Sequence, residues 1–121
     1  MIGLGLDTVD VDRFRTVLDR TPGLVDRVFT DAECRYAREQ RDPTQRLAAR
    51  FAAKEAVLKA LGVGLGAIRL RDIEVIRSST GAPGLQLHGD AAEFAARSGV
   101  VRWWVSLSHT DLVATAVVVA E

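Results

Sequence analysis

Arg50-Phe51-Ala52-Ala53-Lys54-Glu55-Ala56-Val57-Leu58-Lys59-Ala60-Leu61-Gly62 is the stretch whose reading decides the fold. Its alanines and leucines favour a helix, no proline interrupts it, and Gly62 can take the left-handed conformation that ends one. Asp42-Pro43 upstream caps and starts this long helix, and Gly62-Val63-Gly64-Leu65-Gly66 forms its exit. At about 100° per residue, Leu47, Phe51, Leu58 and Leu61 make one apolar stripe, while Glu55 and Lys59 share a neighbouring face beside Ala48 and Ala52. Alanines there admit a second backbone or a ligand. Arg50 and Lys54 fall in or at the edge of the stripe, where a charged head must snorkel outward or find an anionic partner. The helix is therefore expected to bring one carboxylate and several cations to something outside itself.

Before this helix, Ile2, Leu4 and Leu6 alternate with Gly3, Gly5 and Asp7, the pattern of a strand whose glycines allow close backbone approach. Asp7 is read at the end of that strand, pointing out of the sheet edge. Val11, Phe14 and Leu18 recur at helical spacing until Pro22-Gly23, and Arg13 and Arg20 share one face of this first helix. Thr30-Asp31-Ala32-Glu33 has the form of a capping box and opens a helix to about Glu39. Beyond the long helix, residues 72–77 and 85–88 read as a hairpin around Gly81-Ala82-Pro83-Gly84, and Asp90 to Ser98 as a short helix ended by Gly99. Residues 102–109 and 112–120 read as strands, the last apolar on both faces and hence buried on both. Helices first and strands after predict an α+β fold, helices packed against a small, mostly antiparallel sheet.

The 121 residues make about one domain, taken as residues 1–121. Sixteen basic and sixteen acidic residues cancel, so no global field draws the chain to nucleic acid or an anionic membrane. The single cysteine, Cys34, has no internal partner, and no apolar run approaches the ~20 residues of a membrane helix. A cytoplasmic protein is expected.

Glu55 and Lys59 stand four apart, and taken alone they read as an ordinary helical ion pair. Asp7 adds a second carboxylate, and Arg50, Lys54 and Lys59 add cations. Oxygen ligands beside excess positive charge suit Mg²⁺ holding a polyphosphate, since that ion takes one or two carboxylates and fills its shell with phosphate oxygens and water. The glycines 62, 64 and 66 follow a helix instead of preceding one, which excludes a Walker loop and a dinucleotide fingerprint. Ser106-Leu107-Ser108-His109-Thr110-Asp111 holds the letters of a hydrolytic triad, but neighbouring strand residues point to opposite faces and cannot converge. His109 at a strand end reads equally as a phosphate contact or a hydrogen-bonded structural residue. Trp103 and Trp104 are assigned to the core and an oligomer surface.

Three segments now stand together: Gly5-Leu6-Asp7-Thr8-Val9-Asp10, the Arg50 to Gly62 stretch with its Lys54-Glu55-Ala56 centre, and Val105-Ser106-Leu107-Ser108-His109-Thr110-Asp111. In order, spacing and total length the chain resembles the holo-[acyl-carrier-protein] synthases, the small phosphopantetheinyl transferases. That resemblance implies a single-lobed transferase fold and a Mg²⁺-dependent transfer of 4'-phosphopantetheine from coenzyme A to a serine of apo acyl carrier protein, releasing adenosine 3',5'-bisphosphate, within fatty acid biosynthesis. It implies Asp7 and Glu55 as the metal ligands, and Asp7, Glu55 and Lys59 as the catalytic set. Arg50, Lys54, Lys59, His109 and Thr110 match positions near the coenzyme. The proton acceptor stays open between Glu55 and a water on the metal, with the water favoured.

The resemblance further implies a homotrimer with sites at subunit boundaries. Arg13 and Arg20 on one face of the first helix, with Arg27 just beyond, are read as a surface complementary to an acidic carrier protein, its field weakened by Asp10, Asp12 and Asp19. Three other readings stay open at this point: a non-catalytic coenzyme A or nucleotide-binding module, a structural oligomerisation domain, and a broad transferase serving polyketide or peptide synthetase carriers.

Overall fold

Alanine content sets the position of the long helix, α4 (Thr44–Leu61), whose buried residues include Ala48, Ala49, Ala52, Ala53, Ala56 and Ala60. Such a helix is apolar almost all round and can be surrounded by other elements. A computed structural model describes residues 1–121. Around α4 run β1 (Gly3–Asp10), α1 (Val11–Arg20), α2 (Leu24–Val28), α3 (Asp31–Arg38), a 3-10 turn (Leu70–Asp72), β2 (Ile73–Arg77), β3 (Pro83–Leu87), α5 (Gly89–Arg97), β4 (Trp103–His109) and β5 (Val113–Ala120). The class is α+β, as expected. β1, β5 and β4 form an antiparallel three-stranded sheet in that order, and β2 and β3 pair as a separate antiparallel hairpin.

β1 lies directly on α4. A Cβ on Gly3 would stand 1.8 Å from the Ala60 carbonyl oxygen, and one on Gly5 1.8 Å from that of Ala56. No side chain fits at either position, so glycine in the strand and alanine in the helix let two backbones meet. The strand's alternation then points Ile2, Leu4 and Leu6 away from the helix, where they are 46%, 58% and 57% exposed. Asp7 shares the helix-facing side with the two glycines. It is not at the strand's end as expected, because pairing with β5 continues to Asp10↔Val113.

The hydrophobic core divides on either side of α4. One cluster joins Ala52, Ala53, Ala56, Val57 and Leu58 to Ile73, Val75, Ala91 and the inward residues of β5. The other joins Leu47, Ala48 and Ala49 to Val11, Phe14, Val28, Phe29, Cys34 and Ala37. Fully buried Val57, Leu58, Phe29 and Ile73 each contribute about 2 kcal/mol by removal from water. The stripe read from the sequence was too narrow: Leu47 and Leu58 are buried, Phe51 and Leu61 only partly so, and alanines cover the rest. β5 also departs from expectation. Ala114, Ala116, Val118 and Ala120 are buried, but Val117 on the other face is 37% exposed, because no layer covers that side.

Local signals place the helix ends. Asp10 caps α1 by accepting the Arg13 amide at 2.9 Å. Thr30 and Glu33 form the expected capping box of α3, with reciprocal bonds of 3.2 and 2.9 Å. Gly62 ends α4 at φ +73°, while Asp42 accepts the Thr44 amide at its start. Short α2 went unread in the sequence, since five residues carry too little periodicity to register.

Candidate active site

Asp7 and Glu55 line one open cleft of about 330 Å³ with Thr8, Val9, Asp10, Arg13, Phe14, Val17 and Phe51. The close packing of β1 on α4 brings them there, and the two glycines that permit it lie immediately before Asp7. Lys59 does not make the helical ion pair with Glu55. Its Nζ instead donates to Asp7 Oδ1 at 3.1 Å and to the Leu6 carbonyl at 2.9 Å, which fixes the acid against the helix. The Asp7 side chain is 17% exposed and that of Lys59 54%.

The electrostatics follow from this arrangement. Partial burial pushes the Glu55 carboxyl above its ordinary pKa of 4.5, the Asp7 charge pushes it further, and Lys59 opposes both. Two carboxylates that repel across one cleft are relieved by a cation between them. No group of three metal-ligating side chains converges anywhere in the chain. An all-protein cage is thus absent, but two acids fit the demand of Mg²⁺, which completes its octahedron with water and substrate phosphate. Asp7 and Glu55 are the residues able to hold it.

A second cleft of about 330 Å³ opens elsewhere on the chain, lined by Arg46, Arg50, Tyr36, Arg77, Gly81, Pro83, Ser106 and His109 among others. Arg50 and Glu55 project about 140° apart around α4, so one chain holds its acidic and basic clefts on different sides of the same helix. Arg50 is only 5% exposed. Desolvation lowers its pKa, while Tyr36 and Glu33 act to raise it.

The expected coenzyme contact of Lys54 is corrected, and exposed Thr110 stands outside the basic cleft. Lys54 is wholly buried, donating to Glu33 at 2.8 Å, to the Leu70 carbonyl at 3.0 Å and to the Ile73 carbonyl. It therefore ties α4 to α3 and β2 and has no surface to offer a ligand. Thr110 does not line the basic cleft. Its hydroxyl accepts the Leu112 and Val113 amides at 3.2 and 3.1 Å and builds the turn between β4 and β5. Arg46, Arg77 and Tyr36 went unread in the sequence. Arg46 at i−4 from Arg50 was the one available signal, because Tyr36 and Arg77 join the cleft only through tertiary packing.

Comparison with known proteins fits this geometry. Residues 3–117 match the model of the ACPS family, described as the 4'-phosphopantetheinyl transferase superfamily, and the chain belongs to it. Among named relatives, the holo-[acyl-carrier-protein] synthase of Streptomyces avermitilis is 50% identical over 121 residues, covering 100% of this chain and 98% of its own. That of Frankia casuarinae is 49% identical over the same coverage. Among solved structures, the Neisseria meningitidis holo-[acyl-carrier-protein] synthase superposes with a TM-score of 0.90 at 30% identity, covering 100% of this chain and 98% of that one. An ACPS–CoA complex described as from Chronobacterium ammoniagenes gives 0.87 at 32% identity, covering 96% and 93%.

Proposed function

We propose that the chain transfers 4'-phosphopantetheine from coenzyme A to a serine hydroxyl of apo acyl carrier protein, with adenosine 3',5'-bisphosphate as the second product. The observation that carries this reading is the Asp7–Glu55 pair, braced by Lys59, in a chain that matches transferases of this activity over its whole length. The serine oxygen forms a bond to the phosphorus bearing pantetheine. The bond from that phosphorus to the bridging oxygen breaks, and the electron pair leaves with the nucleotide. Mg²⁺ held by Asp7 and Glu55 would supply a Lewis acid to the diphosphate.

The chain's own side chains do the rest. Lys59, fixed by Asp7 and the Leu6 carbonyl, offers its remaining proton and charge to the phosphate that departs. The serine proton passes to Glu55 or to a water in the same cleft, the water being favoured because Glu55 is taken up as a ligand. Arg50 and His109 in the basic cleft attract the other anionic groups of the coenzyme.

Acidic and basic clefts on different sides of α4 suit one coenzyme held across a subunit boundary, in line with a homotrimer whose sites combine neighbouring chains. The outer sheet face supplies a surface for it: Ile2, Leu4, Leu6, Trp104 and Val117 are exposed together. Arg13 and Arg20 flank Val17 in a shallow depression on α1, and Arg13 also borders the Asp7 cleft, so an acidic carrier protein would dock there. No helix is long and apolar enough to cross a membrane, and a free buried cysteine fits a reducing cytoplasm.

Intact-mass measurement of apo acyl carrier protein with this chain, coenzyme A and Mg²⁺ tests the reading. A phosphopantetheine mass gain that EDTA abolishes, and that Asp7→Ala and Glu55→Ala each reduce at least about a hundredfold, is expected. No mass gain with the wild-type chain refutes it.

A further inference from the structure

A cavity of about 360 Å³ opens between α1, α2, α3 and the first turn of α4, and shares no lining residue with the acidic or the basic cleft. Its floor is apolar, made by Leu18, Val25, Cys34, Ala37 and Leu47, the last three of them buried. Arg15 and Leu18 project roughly opposite to Arg13, Val17 and Arg20 around α1, so the cavity lies behind the face offered to a carrier protein. The transfer chemistry makes no use of it. Charges of both signs stand on its rim: Arg15, Arg38, Asp19 and Asp42. Arg15 and Asp42 satisfy each other. Arg15 Nη1 donates to Asp42 Oδ2 at 2.6 Å and to Oγ1 of buried Thr44 at 3.1 Å, and Asp42 also accepts the Thr44 amide at 3.1 Å. This holds the Arg15 guanidinium in place with Nε and Nη2 still free to donate. The Arg38 guanidinium and the Asp19 carboxylate have no ion-pair partner, in each other or elsewhere. Burial pushes the Cys34 thiol above its ordinary pKa and the Arg38 charge opposes it, so Arg38 acts on the floor from close by.

We infer that this cavity binds a free apolar α-amino acid, its carboxylate on Arg38 and the free donors of Arg15, its ammonium on Asp19 and its side chain on the apolar floor. One unpaired charge of each sign above such a floor is complementary to a molecule that carries both charges and an apolar body. A simple anion leaves Asp19 facing it, and a simple cation leaves Arg38 facing it. Arg15 and Asp19 stand one turn apart on α1, about 5–6 Å between their Cβ atoms, which matches two charges carried on one α-carbon. The volume falls near the lower end of small-molecule sites, ~300–1,000 Å³, as a ligand of amino-acid size requires.

The test titrates the ¹⁵N-labelled chain, without coenzyme or carrier protein, with L-leucine and with two isosteres: 4-methylpentanoate, which lacks the ammonium, and 3-methylbutylamine, which lacks the carboxylate. L-Leucine is expected to shift the amide signals of Cys34, Ala37 and Leu47 saturably, with a Kd of about 1 mM or below, and each isostere to bind about tenfold or more weakly. Arg38→Gln and Asp19→Asn, both at exposed positions outside the transfer machinery, are each expected to weaken L-leucine about tenfold, while Asp19→Asn does not weaken 4-methylpentanoate. Equal affinity for L-leucine and 4-methylpentanoate overturns the inference, as does an L-leucine affinity that both substitutions leave unmoved, or the absence of any shift at these amides up to about 10 mM. None of these outcomes bears on phosphopantetheine transfer, which the titration does not involve.

Discussion

Lys54 Nζ lies 2.8 Å from Glu33 Oε1 with neither side chain exposing any surface, so the lysine at the centre of the most informative segment is a structural cation. Glu33 gives its Oε1 also to the Thr30 amide and its Oε2 to the Val75 amide at 3.0 Å. The pair is thus hydrogen-bonded on all sides, the condition under which a buried ion pair is tolerated. Removing one partner strands the other. Lys54→Met is expected to cost about 3–5 kcal/mol in urea unfolding, and Lys54→Met/Glu33→Leu to cost less than the sum of the two single changes. Simple additivity of the two would show that the pair is not coupled.

Gly5 governs the site from outside it. A methyl group there meets the Ala56 carbonyl at 1.8 Å, so Gly5→Ala must lift β1 from α4 and draw Asp7 away from Glu55. Overpacking of backbone on backbone is expected to cost about 3 kcal/mol or more in thermal or urea unfolding. The same change at exposed Gly64, which has nothing within 4 Å, is expected to be mild. Equal effects at the two positions would contradict the close contact.

The Glu55 carboxyl should titrate above its ordinary value, and carboxyl ¹³C chemical shifts can follow it. Asp7→Asn removes a like charge and is expected to lower its pKa; Lys59→Met removes the opposing charge and is expected to raise it. Adding Mg²⁺ to wild type lowers it. The stability consequence has a definite sign. Because the folded state holds this proton to higher pH than the unfolded chain, the group's contribution falls as pH rises from 4.5 to the raised value, then stays constant. Asp7→Asn is expected to flatten that fall. A pKa insensitive to both substitutions would mean that the two acids do not face one cleft.

Local chemistry was legible in the sequence and tertiary partnership was not. The Thr30–Glu33 capping box and the Gly62 terminator rest on spacings of a few residues, and both stand in the structure. Glu33's second role depends on Lys54, 21 positions away, and no periodicity carries that. The α4 stripe was underestimated because alanine gives little hydrophobic contrast between faces. β5 was misjudged for a related reason: valines suit a covered face and an uncovered one alike, so composition could not reveal that Val117 lies open. For the site, the close approach of β1 was written in Gly3 and Gly5. The Tyr36 cluster was not, since it joins α3, α4 and β2 across the fold.

The open sheet face offers the sharpest test of how the site is completed. Leu4 pairs with Val119, which pairs with Trp104, and beside that row Leu6 pairs with Val117, an apolar band that spans three strands in the first row and stops at Ser106 in the second. Leu6 is 57% exposed and belongs to neither core cluster, so Leu6→Asp should leave the circular dichroism spectrum and the unfolding midpoint of the isolated chain nearly unchanged. Within an assembly that buries this band, the new carboxylate would be stripped of water without a partner, a cost of several kcal/mol at each copy. Sedimentation velocity is therefore expected to find trimers for wild type and monomers for Leu6→Asp. Because the acidic and basic clefts lie on different sides of α4, monomers should also lose transfer at least about a hundredfold even though Asp7, Glu55, Lys59 and Arg50 are untouched. A Leu6→Asp chain that is monomeric and fully active would show that one chain completes its own site.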